Sequence, residues 1–298
     1  MTGFMRAAGS DWDLVGVVRQ MWALPFMVNA FRAGTLTGLL AGVTGWFLVA
    51  RRQAFAGHTL SQVGFPGAAG AALVGAPVWA GYLCSSIITA LVLGRCGGAS
   101  AAAEGHGDGA LIGTVQAFAL ACGFWFVALY AGLLGGTTSL LFGSFLGITT
   151  DQVAFLTIVT ATVLVALAVL GRRLLFATVD PAVAHARGVS AGPTNGAFLL
   201  LLAVVVAATV QVTGALLVFS LLVLPAATAQ RLTARPARSI GLAVLIAVSV
   251  VWVALTVAFC TPYPFGFWLT TLAFTGYVLA VAGSRSSRRW GGRRAGVR

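Results

Sequence analysis

Lysine is absent from the 298 residues: all eighteen basic side chains are arginine, set against only six Asp and Glu. A P-loop needs its lysine on the β- and γ-phosphates, so the chain holds no standard nucleotide-hydrolysing site, and any ATP that drives it is bound by another subunit. Charge of either sign is scarce, at 8% of residues, while 59% are hydrophobic and the mean hydropathy is +0.98. That balance excludes a soluble domain of this size. Cys84, Cys96, Cys122 and Cys260 form no C-x-x-C pair, so they are read as small apolar packing residues, not as metal ligands or disulfides. No H-E-x-x-H or G-x-S-x-G occurs, which leaves a membrane protease without its usual chemistry. With no nucleophile–base pair visible, an enzyme is not expected.

What the chain has instead is a series of apolar runs, each long enough to cross about 30 Å of hydrocarbon as a helix. They fall at 28–50, 54–75, 78–94, 111–134, 153–171, 194–210, 213–230, 239–260 and 265–283. The expected fold is all-α, a polytopic membrane bundle of about nine transmembrane helices. It divides into an N-terminal interfacial segment 1–27, a transmembrane domain 28–283 and a basic tail 284–298.

The arginines set an orientation. Arg51 and Arg52, Arg95, Arg172 and Arg173, Arg187, Arg231, Arg235, Arg238 and the tail "RSSRRWGGRR" share one side when the spans alternate. The positive-inside rule makes that side cytoplasmic, with the N-terminus outside and the C-terminus inside. This arrangement also explains the net charge of +12 without nucleic acid, and the tail is read as lying on anionic headgroups or as disordered. Before the first span, "SDWDLVGVVRQMWALPF" suits an interfacial helix, started by Ser10 and Asp11 and anchored by Trp12 and Trp22. No compact apolar core with a small-residue cleavage site follows the first arginine, so the first spans are expected to insert unaided.

Polar groups enter the membrane in the second span. Its Gly57, Ser61, Gly64, Gly67, Ala68, Gly70 and Ala71, like the ladder Gly34, Gly38 and Gly42 in the first span, allow close helix approach, so both spans are placed in the packed interior. His58 and Gln62 lie one helical turn apart with Ser61 between them. Pro66 withdraws the hydrogen bond that the Gln62 carbonyl would otherwise accept. An ionisable residue at membrane depth marks function by default, and the alternative is polar glue to neighbouring helices.

Elsewhere, "AAAEGHGDGALIG" brings Glu104, His106 and Asp108 into a Gly/Ala-rich linker where a transient metal site competes with mere mobility. Asp151 stands where it could cap the fifth span. In "RRLLFATVDPAVAHARGVSAGP", residues 180–189 read as a short cytoplasmic helix, capped by Asp180, begun by Pro181 and ended by Gly188. It is either a docking element or an ordinary interfacial connector.

Along most of its length the chain resembles the permease subunits of the zinc and manganese ABC importers, the ABC-3 family. "ARRQAFAGHTLSQVGFPGAAG" is similar to the family's R-R-x-x-x-x-G-D-A-L-S-H-x-x-L-P-G, "DPAVAHARGV" to its D-x-x-x-A-x-x-x-G-V, and "VTGALLVFSLLVLPAATAQRL" to its V-G-A-L-L-V-x-x-L-L-x-x-P-A-A-T-A-R. A fourth block, "SLLFGSFLGIT", looks like the family loop L-L-F-G-D-I-L. The resemblance implies a permease in the cell membrane of a bacterium that pairs with a second permease chain as a homodimer, docks a cytoplasmic ABC ATPase and receives metal from an extracytoplasmic metal-binding protein. Asp180, Ala184, Gly188 and Val189 match the family positions that contact the ATPase. Zn²⁺ or Mn²⁺ is then cargo, and no permanently bound cofactor is expected.

The departures fall on the ion path. His58 stands for the family's Asp, Gln62 for its His, and Ser144 for an acid in the loop. Losing the carboxylate removes negative charge that attracts cations, while a neutral imidazole remains a good transition-metal ligand and leans to zinc before manganese. His58 is therefore the expected path ligand, with Ser61 and Gln62 as weaker lining. The alternatives are a permease of the same fold for a metal chelate, in which His58 and Gln62 only form hydrogen bonds, and a secondary transporter or channel with no ATPase.

Overall fold

The computed structural model describes residues 14–96, 107–129, 143, 147–188 and 190–295. Eleven α-helices are drawn from them: α1 Leu14–Ala23, α2 Pro25–Ala50, α3 Ala54–Leu73, α4 Val78–Cys96, α5 Gly107–Leu129, α6 Thr150–Val179, α7 Pro181–Ala186, α8 Ala191–Thr213, α9 Ala215–Leu232, α10 Pro236–Cys260 and α11 Phe265–Ala295. There is no strand among the described residues. Backbone groups in hydrocarbon must be satisfied within the segment, and a helix does this alone. Eight of the helices are long and apolar enough to span a membrane: α2, α4, α5, α6, α8, α9, α10 and α11. The 20-residue α3 is long enough but too rich in Gly, Ser and other polar side chains to qualify by composition.

Burial sorts the helices into an inner group and an outer ring. The spanning windows of α8 and α2 are 72% and 67% buried, whereas those of α5 and α11 are 11% and 17%. Phe198, Leu202, Leu221, Leu222, Leu40 and Leu48 are fully buried at the centre. Ile158, Val169, Phe118, Trp125, Leu245 and Leu279 point outward from the ring. Large apolar side chains can face outward at no solvation cost only where the surroundings are lipid.

Close approach joins the inner helices. A Cβ on Gly38 would lie 3.1 Å from Val248 Cα, and one on Gly42 2.5 Å from Val244 Cα. As the α2 number rises the α10 number falls, so the two helices run antiparallel with their backbones nearly touching. Between α3 and α4 a Cβ on Gly67 would strike the Gly81 carbonyl and the Ser85 hydroxyl. Dispersion over such contacts, more than hydrophobic transfer, holds helices together in lipid. The small-residue ladders therefore sit in the interior, as their spacing implies.

Several ends differ from the apolar runs. The helix at the fifth span covers thirty residues and continues past Arg172 and Arg173 to Val179. It is capped by Thr149 and not by Asp151: the Thr149 hydroxyl accepts from the Gln152 amide at 3.3 Å while the Gln152 carboxamide accepts from the Thr149 amide at 3.1 Å. Such a reciprocal box satisfies two otherwise orphaned donors. Asp151 simply occupies the first turn. The cysteines also depart from a packing role. Cys84 and Cys260 are exposed on the outside of the single chain, Cys122 is intermediate, and all three are free thiols. Helix α1 forms where an interfacial helix is expected, and its Trp22 stacks on Phe31 with ring centroids 6.0 Å apart. Ser10, Asp11, Trp12, Glu104, His106, Ser144 and most of the "SLLFGSFLGIT" loop lie outside the described residues.

Candidate functional site

The α2–α3 turn aims the start of α3. Gln53 N–H bonds to the Leu48 carbonyl at 3.0 Å and Arg52 N–H to the Val49 carbonyl at 3.0 Å, the paired bonds of a Schellman helix end. The position that glycine usually fills is Arg52, with φ of 57°. Helix α3 starts at Ala54, so His58 lies one turn inside it.

His58 and Gln62 share the open side of α3. Both are half-buried, and His58 Nε2 lies 3.3 Å from Gln62 Nε2. The carboxamide N–H donates to the ring nitrogen when His58 carries its proton on Nδ1. The Nδ1 atom itself is buried without a hydrogen-bond partner. The edge of the ring meets Phe219 of α9, with centroids 4.7 Å apart and planes at 68°. Next to it on α9, Ser220 and Val223 are also half-exposed. One face of the bundle, built from α3 and α9, thus presents an imidazole and a carboxamide among aromatic and small side chains.

Ser61 does not join them. It is fully buried, and its hydroxyl donates to the His58 carbonyl at 2.7 Å. Residues three apart on a helix differ by about 60° in direction, which is enough to turn Ser61 beneath the neighbouring helices while His58 stays at the rim. Sequence spacing alone puts the three on one face, and the packing separates them. Pro66 is likewise buried, against α5, where a Cβ on Gly123 would come within 3.1 Å of its Cα. Thr59 supports the helix from within, donating to Gln116 Oε1 of α5 at 3.1 Å.

Among the described residues no three His, Cys, Asp or Glu side chains gather into a metal-binding cluster. His58 is one nitrogen donor with a carboxamide neighbour, short of a closed tetrahedral site. Two cavities in the bundle lie elsewhere. One, of about 310 Å³, is lined by Arg231, Tyr277 and Ser284, and the other, of about 400 Å³, by Val43, Phe47, Leu167 and Arg172.

The short helix forms as its sequence implies. Asp180 Oδ1 accepts from the Val183 amide at 3.0 Å, capping α7, and Gly188 takes φ of 78° just beyond it. Ala184 is buried at 3% exposure, while Asp180 and Gly188 are exposed. Ala184 therefore packs α7 onto the bundle, and the other two stand at its open ends. Val189 lies outside the described residues.

Comparison with known proteins supplies a family. The model of the ABC 3 transport family matches residues 23–284. The chain is 30% identical over 173 residues to the manganese transport system membrane protein MntC of Halalkalibacterium halodurans, covering 57% of each. It is 31% identical over 167 residues to an uncharacterized membrane protein of the ycf23-apcF intergenic region of Cyanophora paradoxa, covering 56% of this chain and 54% of that one. The matched stretch is thus little more than half the length of these curated relatives. Two solved structures share the fold. PsaBC from Streptococcus pneumoniae, in complex with Fab, superposes with a TM-score of 0.78 at 20% identity over 90% of this chain and 95% of that one. A metal-chelate type ABC transporter in an inward-facing conformation superposes at 0.64 with 17% identity over 93% and 91%. The match of the family model across nearly every described helix decides the assignment: the chain belongs to the ABC 3 transport family.

Proposed function

We propose that this chain is the membrane-spanning subunit of an ATP-driven importer of divalent transition-metal ions, working as a homodimer whose two α3–α9 faces enclose the ion path. A separate cytoplasmic ATPase docks at α7, with Asp180, Ala184, Gly188 and Val189 as its contacts, and an extracytoplasmic binding protein delivers the ion. The observation that carries this is the half-exposed His58–Gln62 pair on the open face of an otherwise closely packed helix. In a bundle whose outer ring shows apolar side chains to lipid, a polar pair at the rim is costly unless water or a second protein surface covers it. Two-fold pairing would bring two such imidazoles together.

In this scheme the arginine-bearing end faces the cytoplasm. His58 is then a gate near the inner end of the path, one turn inside α3. Closure of the ATPases on ATP moves α7 and switches which end of the path is open. One nitrogen ligand per chain binds an ion weakly enough to release it. Imidazole favours zinc over manganese. The manganese reading is favoured by the name of the Halalkalibacterium relative, so both ions belong in the test.

The test is uptake of radioactive zinc and manganese into cells carrying the chain with its ATPase. His58→Ala is expected to lower zinc uptake at least ~10-fold, the loss of one good ligand contact, with the amount of protein in the membrane unchanged. Uptake equal to wild type removes His58 from the path. Manganese uptake exceeding zinc replaces the preferred cargo. Transport of a chelate but of neither free ion, or a chain that purifies with no ATPase, replaces the reading with one of its alternatives.

A further inference from the structure

The α2–α3 turn is held by groups from far along the chain. Arg51 Nη2 donates to Asn195 Oδ1 at 3.0 Å, and Arg51 Nη1 donates to Thr178 Oγ1 at 3.4 Å. Gln53 Nε2 donates to the same Asn195 oxygen at 2.6 Å. The Arg51 guanidinium also lies 5.2 Å from the centre of the Phe198 ring. Thr178 is in the last turn of α6, and Asn195 and Phe198 are in the first turns of α8. Helix α7 is the one element between them. Both ends of the segment that carries α7 are therefore tied to the turn from which α3 starts, a few residues before His58.

Geometry makes this a stiff link. The Schellman bonds fix the turn, and the left-handed Arg52 leaves its own side chain exposed while Arg51 and Gln53 are half-buried. Burial lowers the Arg51 pKa through desolvation, so its acceptors matter to it. One carboxamide oxygen accepts from both residues, which concentrates the link on Asn195. The cluster is also incompletely paired. Arg51 Nε and Gln53 Oε1 are buried without a hydrogen-bond partner, and leaving a buried polar group unpaired is unfavourable. A cluster with a spare donor and a spare acceptor has the means to form a second arrangement when the helices it joins shift.

We propose that Asn195 is the positioning residue that couples α7 to the ion path: movement of α7 passes through Asn195 to Arg51 and Gln53, and so tilts the start of α3 beneath His58. The coupling rests on the importer reading above, and its test separates the two. The chain is purified with its ATPase in lipid nanodiscs and proteoliposomes as wild type, Asn195→Ala and Asn195→Asp. Aspartate keeps the acceptor oxygen and alanine removes it. A nitroxide on Phe55→Cys, an exposed position on α3, is placed in a chain whose four native cysteines are replaced by serine, and reports the separation of the two α3 helices with and without ATP and vanadate.

Asn195→Ala is expected to retain the ATPase and its basal hydrolysis within two-fold, to lose ~10-fold in ions imported per ATP, and to lose the ATP-dependent shift of the label; a ten-fold loss lies inside the usual range of coupling. Asn195→Asp is expected to restore both readouts. Wild-type import per ATP in Asn195→Ala, an unchanged label shift, failure of aspartate to restore, or loss of the ATPase from the alanine complex would each overturn the proposal, the last by showing a static brace. If the wild-type complex imports neither ion, the importer reading fails by itself, and the label shift still decides the coupling.

Discussion

Replacing Gly42 with alanine probes the seam between α2 and α10. The new Cβ would stand 2.5 Å from Val244 Cα, 2.7 Å from Val244 N and 2.9 Å from its Cγ2, where ordinary contact begins at 3.4 Å. The shortfall to the Cα is 0.9 Å, and two of the three atoms are backbone. No rotamer change relieves that, so α10 must move as a body. Overpacking of this kind costs about 1–3 kcal/mol, and alanine returns about 0.5–1 kcal/mol as the better helix former. The net loss is centred on about 1.3 kcal/mol, within a span of about 0–2.5 kcal/mol. Gly276 in α11 is the control, because a Cβ there meets nothing within 4 Å. Thermal unfolding of the two variants in the same detergent is the assay. Gly42→Ala should melt roughly 2–6 °C below wild type, and Gly276→Ala at or above it. Equal melting of the two variants would refute the claim that backbone contact, and not lipid pressure or loop length, sets the α2–α10 distance.

Asp180→Ala removes the acceptor for the Val183 amide and should cost α7 about 1 kcal/mol; reduced retention of the ATPase on purified chain, with membrane insertion intact, is the expected readout, and full retention counts against α7 as the docking element. Arg52→Gly relieves a left-handed arginine at φ of 57°, a strain of about 1–2 kcal/mol, so the variant should melt above wild type; a lower melting temperature would mean that the Arg52 side chain holds the turn. Thr149→Ala deletes one arm of the α6 box and should lower the melting temperature by a few degrees, about 1 kcal/mol, whereas Asp151→Ala should change it less because Asp151 is not the cap.

Much of this architecture was legible in the sequence because the bilayer imposes one length and one solvent. The runs at 28–50, 78–94 and 239–260 became α2, α4 and α10 with shifts of a few residues. Even α3, whose composition falls short of an ordinary span, was identifiable from its small-residue ladder, since those residues serve contacts with α2, α4 and α5 and not lipid. Helix ends were harder to place. The pair Arg172–Arg173 ends an apolar run but not a helix, because arginine is a good helix former whose charge can reach past the interface, and α6 continues through it, whereas the pair Arg51–Arg52 closes α2. The site was half legible. His58 and Gln62 share a rim as their spacing implies, but which helix covers Ser61 depends on packing that no local pattern encodes. The contacts of Arg51 with Thr178 and Asn195 span 127 and 144 residues, and a separation of that size leaves no periodic trace.

The length of α6 sets how far α7 stands from the lipid. From Arg172 to Val179 the helix rises about 10 Å at 1.5 Å per residue, and a tilt of about 20° removes less than a tenth of that. The ATPase proposed for α7 would meet it about two turns beyond Arg172, at a level where Phe176 and Val179 still stand exposed and where ionic strength tunes the grip. Deleting one turn between Leu174 and Val179 would draw α7 about 5 Å closer to the bundle while leaving the direction it faces nearly unchanged, and is expected to weaken the coupling to the proposed ATPase without unfolding the helix.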